Sequence, residues 1–430
     1  MANNRATPIE ISKADFKKIG YQLIDTIADF IDTIEERPVT TGESPDQLQH
    51  ILGTASLPEN GESAAALVSR AAALLLNHSL LNGHPKFLGY ITSSAAPIGA
   101  LADLLVASVN PNVGAQILSP IATEIEKQTV KWLAEFIGVS PAYGGLLVSG
   151  GNMANFTAFV AARTAKAPKN SKEDGLSTTK MLIYCSKATH TWVEKAAVLF
   201  VLGTNSIRWI EADGANKIDT RILEQTILDD LKKGYKPIMA IGNAGDVSTG
   251  VVDDLQSIAA ICKLYDLWFH VDGAYGIPAA VIPDLKPMFA GIEEADSIAL
   301  DPHKWLYSPL EAGCVLVKDP NHLIETYSSH PVYYNFDKDG AKMVNFYEYG
   351  FQNSRGFRAL KVWLTLQQVG RTGYIKMIGE DIQLSKLFFE LANHHQELEA
   401  VTQNLSITTL RYIPLDDNTE TGNKEAYLTG

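Results

Sequence analysis

The chain has 430 residues, 46% hydrophobic and 20% charged, which suits a globular protein built as two or three domains or as one large α/β domain with appendages. Its formal net charge of -13 excludes a phosphate-backbone partner, because nonspecific nucleic-acid affinity needs clustered Lys and Arg. Met1 to Asp15 lacks the apolar core of a secretory signal, and no window approaches roughly 18 uninterrupted apolar residues, so a cytoplasmic protein without membrane contact is expected.

Phe16, Ile19, Leu23, Ile27, Phe30 and Ile34 recur at spacings of three and four, predicting an amphipathic helix to Glu36 that stops at Pro38. Its apolar stripe must pack on the main body or on another subunit. Residues 1–82 are accordingly expected to be an N-terminal helical segment lying on a partner subunit. Thr41 to Gly61, rich in Gly, Pro, Ser and acids, reads as a linker. Helical patterns follow at Glu62 to Leu81, Ile98 to Val109 and Pro120 to Ile137. Short apolar runs then alternate with helical stretches. The runs are Leu146 to Val148, Met181 to Cys185, Ile207 to Ile210, Pro237 to Gly242, Leu267 to Val271, Asp296 to Leu300 and Cys314 to Val317. They predict a mostly parallel seven-stranded sheet with helices on both faces, in a large domain over 83–355. From Phe357 the pattern is helical, Phe357 to Val369 and Tyr374 to Leu398, with one strand-like run, Ser406 to Ile413. A lone strand needs partners, so 356–430 is read as a small C-terminal domain that is incomplete. Cys185, Cys262 and Cys314 lie in or beside apolar segments without metal-ligand spacing, which predicts reduced core residues and no metal site.

Two strand ends carry chemistry. His270-Val271-Asp272-Gly273-Ala274-Tyr275 closes one apolar run and Asp301-Pro302-His303-Lys304-Trp305 closes the next, placing a carboxylate and an amine where open α/β sheets bind ligands. Singly, such an Asp is most often a helix cap and such a Lys a solvated charge. Together they are the groups a pyridoxal phosphate (PLP) site needs: a Lys for a Schiff base and an Asp for the pyridinium nitrogen. Apolar neighbours of Lys304 would disfavour its ammonium form by desolvation and make the amine nucleophilic. Gly144 to Asn155 runs strand, glycine turn, helix, and a helix N-terminus attracts phosphate. His190, after the strand Met181 to Cys185, could stack on a planar ring or act as acid or base.

These motifs resemble the group II PLP-dependent amino-acid decarboxylases, which include the aromatic-L-amino-acid, histidine, tyrosine and glutamate decarboxylases. The likeness runs in unbroken order from about Leu80 to Gly370: Gly144 to Asn155, His190 with Val193 to Ala196, Ala244-Gly245 through Thr249-Gly250 to Asp253, His270 to Tyr275, Asp296-Ser297 and Asp301 to Leu306. It implies PLP fold type I, the aspartate-aminotransferase-like architecture, in an obligate homodimer with its site at the subunit interface. By the same resemblance Lys304 holds PLP, Asp272 pairs with the ring nitrogen, Ala274 contacts the ring and His190 stacks on its opposite face. Gly151 and Asn152 match phosphate-contacting positions, and His303 lines the site. Tyr333 matches a mobile-loop tyrosine that protonates the carbanion, and Tyr there favours simple decarboxylation over the aldehyde-forming variant. Asp246 stands where Thr is frequent and Asp301 where Asn often touches phosphate; an acid beside a phosphate repels it unless protonated or turned away. Ser354 to Arg358 resembles a segment that reaches the neighbouring subunit's site.

The expected reaction is decarboxylation of an L-amino acid to its amine and CO2. Phe87, Tyr90, Trp192, Trp305 and Tyr333 would make an aromatic pocket, which points to an aromatic substrate. The alternatives are other fold type I chemistry, such as a C-C lyase, transaminase or acidic amino-acid decarboxylase, and an inactive PLP-binding protein.

Overall fold

The computed structural model describes residues 7–176, 179–329 and 343–414. The chain forms two compact units, Met1–Ser94 and Ala95–Gly430. The first is helical. Its helix Lys13–Asp32 is capped by Ser12, whose hydroxyl accepts from the Asp15 amide, and the helix buries none of its residues. The stretch read as a linker contains a helix of its own, Pro45–Leu52. It starts at a capping box in which the Gln47 amide donates to the Ser44 hydroxyl and the Ser44 amide donates to the Gln47 side chain. Helix Ala64–His78 follows, and the buried His84 joins Arg37 through a 2.9 Å hydrogen bond to its carbonyl.

The second unit is built on a seven-stranded sheet in which every predicted strand is present. The strands are β1 (Gly144–Val148), β2 (Met181–Ser186), β3 (Ile207–Ile210), β4 (Lys236–Asn243), β5 (Trp268–Asp272), β6 (Ser297–Leu300) and β7 (Gly313–Val317), in the order β1-β7-β6-β5-β4-β2-β3. Only β7 runs antiparallel to its neighbours, so the other six present their carboxyl ends along one edge. Nearly every residue of β2, β4, β5, β6 and β7 is buried, which is why these strands read as continuous apolar runs rather than alternations. The helix Gly151–Lys166 packs across β4 to β7 and brings its N-terminus to the same edge. Gly313 begins β7 against Gly150: a Cβ on Gly313 would lie 2.5 Å from the Gly150 Cα, so only glycine permits this approach. All three cysteines are buried and unpaired in disulfides.

After the sheet, helix Ala359–Asn393 is broken at Gly370, whose φ of 65° and ψ of 166° are not helical, in keeping with two predicted helical stretches. The expected lone strand has a partner. Leu398–Asn404 (β8) and Ile407–Tyr412 (β9) form an antiparallel hairpin that rests on this helix. Its first strand was hidden because no residue of Leu398–Asn404 is fully buried, and the helical reading ran into its first residue.

A buried ion pair joins distant segments. The Arg355 guanidinium donates to both Glu126 oxygens, at 2.6 and 3.3 Å, and to the carbonyls of Val113 and Leu147, while the Leu147 amide donates to Glu126. Both side chains are inaccessible to solvent. Within the segment Ser354 to Arg358, the Arg355 side chain is thus engaged by its own chain. Arg355→Met leaves the Glu126 charge buried without a partner and should cost about 3–5 kcal/mol in urea unfolding, whereas Glu126→Leu combined with Arg355→Met should cost much less.

Candidate active site

Five strand ends converge at the carboxyl edge of the sheet. The turn after β1 supplies Gly150 and Gly151, the loop after β2 supplies His190, β4 ends at Asn243, β5 ends at Asp272, and β6 leads into Asp301, His303 and Lys304. Their proximity is measurable. A Cβ placed on Gly151 would meet Asp301 Oδ2 at 2.7 Å and the Ala274 Cβ at 3.2 Å, and one on Gly150 would meet His303 Cε1 at 3.2 Å. The glycine turn, the end of β5 and the end of β6 thus surround one point.

Asp272 is buried, and among the described residues it receives donors only. Its Oδ2 accepts from the Trp192 indole N–H at 2.7 Å and from the Asn155 amide at 3.2 Å, and its Oδ1 accepts from the Ala274 backbone N–H at 3.2 Å. Asn155 lies one helical turn beyond Gly151, on the same helix face, a spacing the sequence already contained. The Asn155 carbonyl meets His270 Nε2 at 2.8 Å, and burial pushes the His270 imidazole down to about 4.

Lys304 is only partly exposed, and it does not stand alone among apolar groups as its flanking residues suggested. Its Nζ lies 3.1 Å from Asp301 Oδ2, and His303 Nε2 lies 3.7 Å from the same oxygen. The His303 Nδ1 accepts from the Ala312 amide at 3.0 Å, leaving Nε2 to face Asp301, and burial lowers its affinity for a proton. Asp301 Oδ1 is buried and has no hydrogen-bond partner among the described residues. Asp246, the other unexpected acid, is turned into its own loop, where it accepts from the amides of Ser248, Thr249 and Val251 and from the Thr249 hydroxyl.

His190 is exposed, and its Nδ1 accepts from the Trp192 amide at 3.3 Å. Its loop is tied to β4 by Asn243, whose side-chain amide donates to the Thr189 hydroxyl and to Asp253. Burial raises Asp253 to about 6. Asn152 is exposed beside Gly151 at the helix N-terminus, where first-turn amides have no intrahelical partner. Tyr333 lies outside the described residues. The expected aromatic lining is not what the tryptophans form: Trp192 is wholly buried against Asp272, and Trp305 stacks on Tyr275 and donates to Asp381 at 2.8 Å.

An amine, an acceptor-only carboxylate and a glycine-opened helix N-terminus at one point fit PLP. The pyridoxal-dependent decarboxylase conserved domain matches residues 45–412. The chain belongs to the pyridoxal-dependent decarboxylase family. It is 35% identical to an aromatic-L-amino-acid decarboxylase of Bacillus atrophaeus over 94% of this chain and 83% of that one. It is 30% identical to a 4-hydroxyphenylacetaldehyde synthase of Rhodiola rosea, over 88% of this chain and 78% of that protein. The crystal structure of Catharanthus roseus tryptophan decarboxylase in complex with L-tryptophan superposes with a TM-score of 0.88 at 27% identity, covering 98% of this chain and 89% of that one. The decarboxylase fold is therefore PLP fold type I, the cofactor is PLP and the enzyme is a carboxy-lyase acting on an amino acid. Among the described residues no helix is long and apolar enough to cross a membrane.

Two outcomes follow from these charges. A phosphate at the Gly151 helix end would be opposed by Asp301 by about 1–4 kcal/mol, so Asp301→Asn should raise the preference for PLP over phosphate-free pyridoxal about tenfold in equilibrium titration. An unchanged preference would show that the acid faces away from the phosphate. His270, held well below its unfolded value of 6.5, binds fewer protons folded than unfolded. Its contribution, about 3 kcal/mol, is present above pH 6.5 and lost as pH falls toward 4. His270→Gln should flatten the stability profile in that window, and comparison with the parent cancels the opposite slope from Asp253.

Proposed function

We propose that the enzyme decarboxylates an aromatic L-amino acid to its amine and CO2, working as a cytoplasmic homodimer in which residues 1–82 lie on the partner subunit. The observation that carries the catalytic reading is that neighbouring strand ends present Lys304, after β6, and an Asp272 that accepts three donors, at the end of β5. Support for an aromatic substrate comes from the relatives, since Trp192 and Trp305 are taken up by internal packing.

PLP would be held by Lys304 through Nζ, by Asp272 at its ring nitrogen, by Ala274 and His190 against its two faces, and by Gly151 and Asn152 at its phosphate, with His303 beside it. When bound it supplies an electron sink for the pair released as CO2 departs. The chain's own part is to hold charge and move protons. A carboxylate that only accepts keeps a proton on a facing nitrogen. Asp301 offers the Lys304 amine an ionic partner whenever that amine is free, keeping Nζ at the site. His303, fixed at Nδ1 by the Ala312 amide, presents Nε2 toward the same oxygen. Tyr333 is proposed as the donor that returns a proton to the substrate carbon.

Lys304→Ala should abolish both CO2 release and the borohydride-trappable adduct, with retained turnover refuting the anchor. Tyr333→Phe should shift product from amine toward aldehyde when CO2, amine and aldehyde are measured together. Normal amine output from that variant would remove Tyr333 from the mechanism, and a keto acid product from the parent would replace decarboxylation by transamination.

A further inference from the structure

Beneath the site, five side chains form a line in which every hydrogen can point one way. The Trp268 indole N–H donates to the Ser297 hydroxyl at 2.7 Å; an indole can only donate, so Ser297 accepts there. The Ser297 hydroxyl lies 2.8 Å from His270 Nδ1, and His270 Nε2 lies 2.8 Å from the Asn155 carbonyl oxygen. The Asn155 amide donates to Asp272 at 3.2 Å. Since an amide oxygen accepts only, His270 Nε2 must carry its hydrogen. Burial keeps the imidazole neutral, so Nδ1 must then accept from Ser297. Trp268, His270 and Ser297 are all 2% exposed or less, and Asn155 is 1% exposed, so water cannot substitute for a missing member.

Trp268, His270 and Asp272 share β5, at i, i+2 and i+4, and point to one face of the sheet. Ser297 comes from β6, directly opposite His270 in the parallel register. Asn155 comes from the helix that covers that face. Three elements thus converge on one carboxylate.

We infer that His270 and Asn155 are positioning residues for Asp272: the line Trp268, Ser297, His270, Asn155 delivers a fixed donor to the carboxylate and holds it as an acceptor-only anion toward the cofactor's ring nitrogen. The inference rests on the proposed pairing of Asp272 with that nitrogen. His270 supplies no charge of its own. Its work is to fix the Asn155 amide so that nitrogen, and not oxygen, faces Asp272. If Asn155 were turned over, its oxygen would oppose the carboxylate, which would lose one of its donors and meet a repelling dipole instead. The Trp192 indole, donating to the same oxygen from the other side, does not constrain that choice.

The test uses the holoenzyme reconstituted with PLP labelled with 15N at the ring nitrogen. The ring-nitrogen chemical shift and the kcat and KM for an aromatic L-amino acid are measured in the parent and in His270→Phe, His270→Gln, Asn155→Leu and Asp272→Ala. Phe keeps the ring volume without the donor, and Gln keeps a donor near the position of Nε2. In the parent the shift should be that of a protonated pyridine. His270→Phe and Asn155→Leu should move it toward the unprotonated value and lower kcat about tenfold to a hundredfold, with KM within about twofold. His270→Gln should restore most of both. If His270→Phe and Asn155→Leu keep the parent shift and kcat while Asp272→Ala loses them, the line does not position Asp272 and the inference fails. Failure of His270→Gln to rescue would also overturn it, because a donor at the Nε2 position would then not be what Asp272 depends on. A parent ring nitrogen already unprotonated, and unmoved by Asp272→Ala, would instead refute the pairing of Asp272 on which the inference stands.

Discussion

The buried contact between Arg355 and Glu126 fixes the floor of this site. Guanidinium and carboxylate lie out of reach of water, and five hydrogen bonds tie the Pro120–Ile137 helix, the end of β1 and the segments around Val113 and Arg355 into one unit. Two of those bonds engage Leu147, both its amide and its carbonyl, two residues before the turn that opens helix Gly151–Lys166. Charges taken from water stabilise a fold only when their remaining hydrogen-bonding capacity is met, and here the backbone meets it. The strand end that leads into the glycine turn is held by that arrangement.

Charge is distributed unevenly across the site. Asp272 is surrounded by neutral donors, Asp246 is absorbed by its own loop, and Asp301 keeps a cation beside it and one oxygen unmet. Three acids at the same sheet edge therefore hold three different tasks. A carboxylate facing neutral donors stays an anion without being neutralised by a partner, which is what a group opposite a pyridine nitrogen must do. A carboxylate facing an ammonium instead steers that ammonium.

Much of this was legible in the chain. The seven strands show as apolar runs because both faces of the sheet are covered, and the motifs ending β5 and β6 place Asp272 and Lys304 at adjacent strand ends. What was not legible depends on contacts between distant segments. Nothing in the neighbours of Lys304 shows that Asp301, one turn earlier, would face its amine. Trp192 and Trp305 look like pocket lining in sequence, yet their indole N–H groups find Asp272 and Asp381. The helix Pro45–Leu52 is masked in the sequence by the Gly, Pro and Ser around it, although Ser44 and Gln47 spell its capping box. Strand β8 leaves no clear signal because no residue in it is fully buried and it continues directly from a long helical pattern.

The placement of the three sulfurs has a chemical consequence for a protein that must accept an aldehyde. Cys185, Cys262 and Cys314 are all buried, and burial pushes each thiol's pKa up, so none offers a thiolate at neutral pH. Soft nucleophiles that would capture a carbonyl as a thiohemiacetal are thereby withheld from it. What remains for the cofactor's aldehyde is a choice among amines, and among the described residues Lys304 is the one brought to the glycine turn and the end of β5. Chemoselectivity, here, is arranged by what the core conceals as much as by what the site displays.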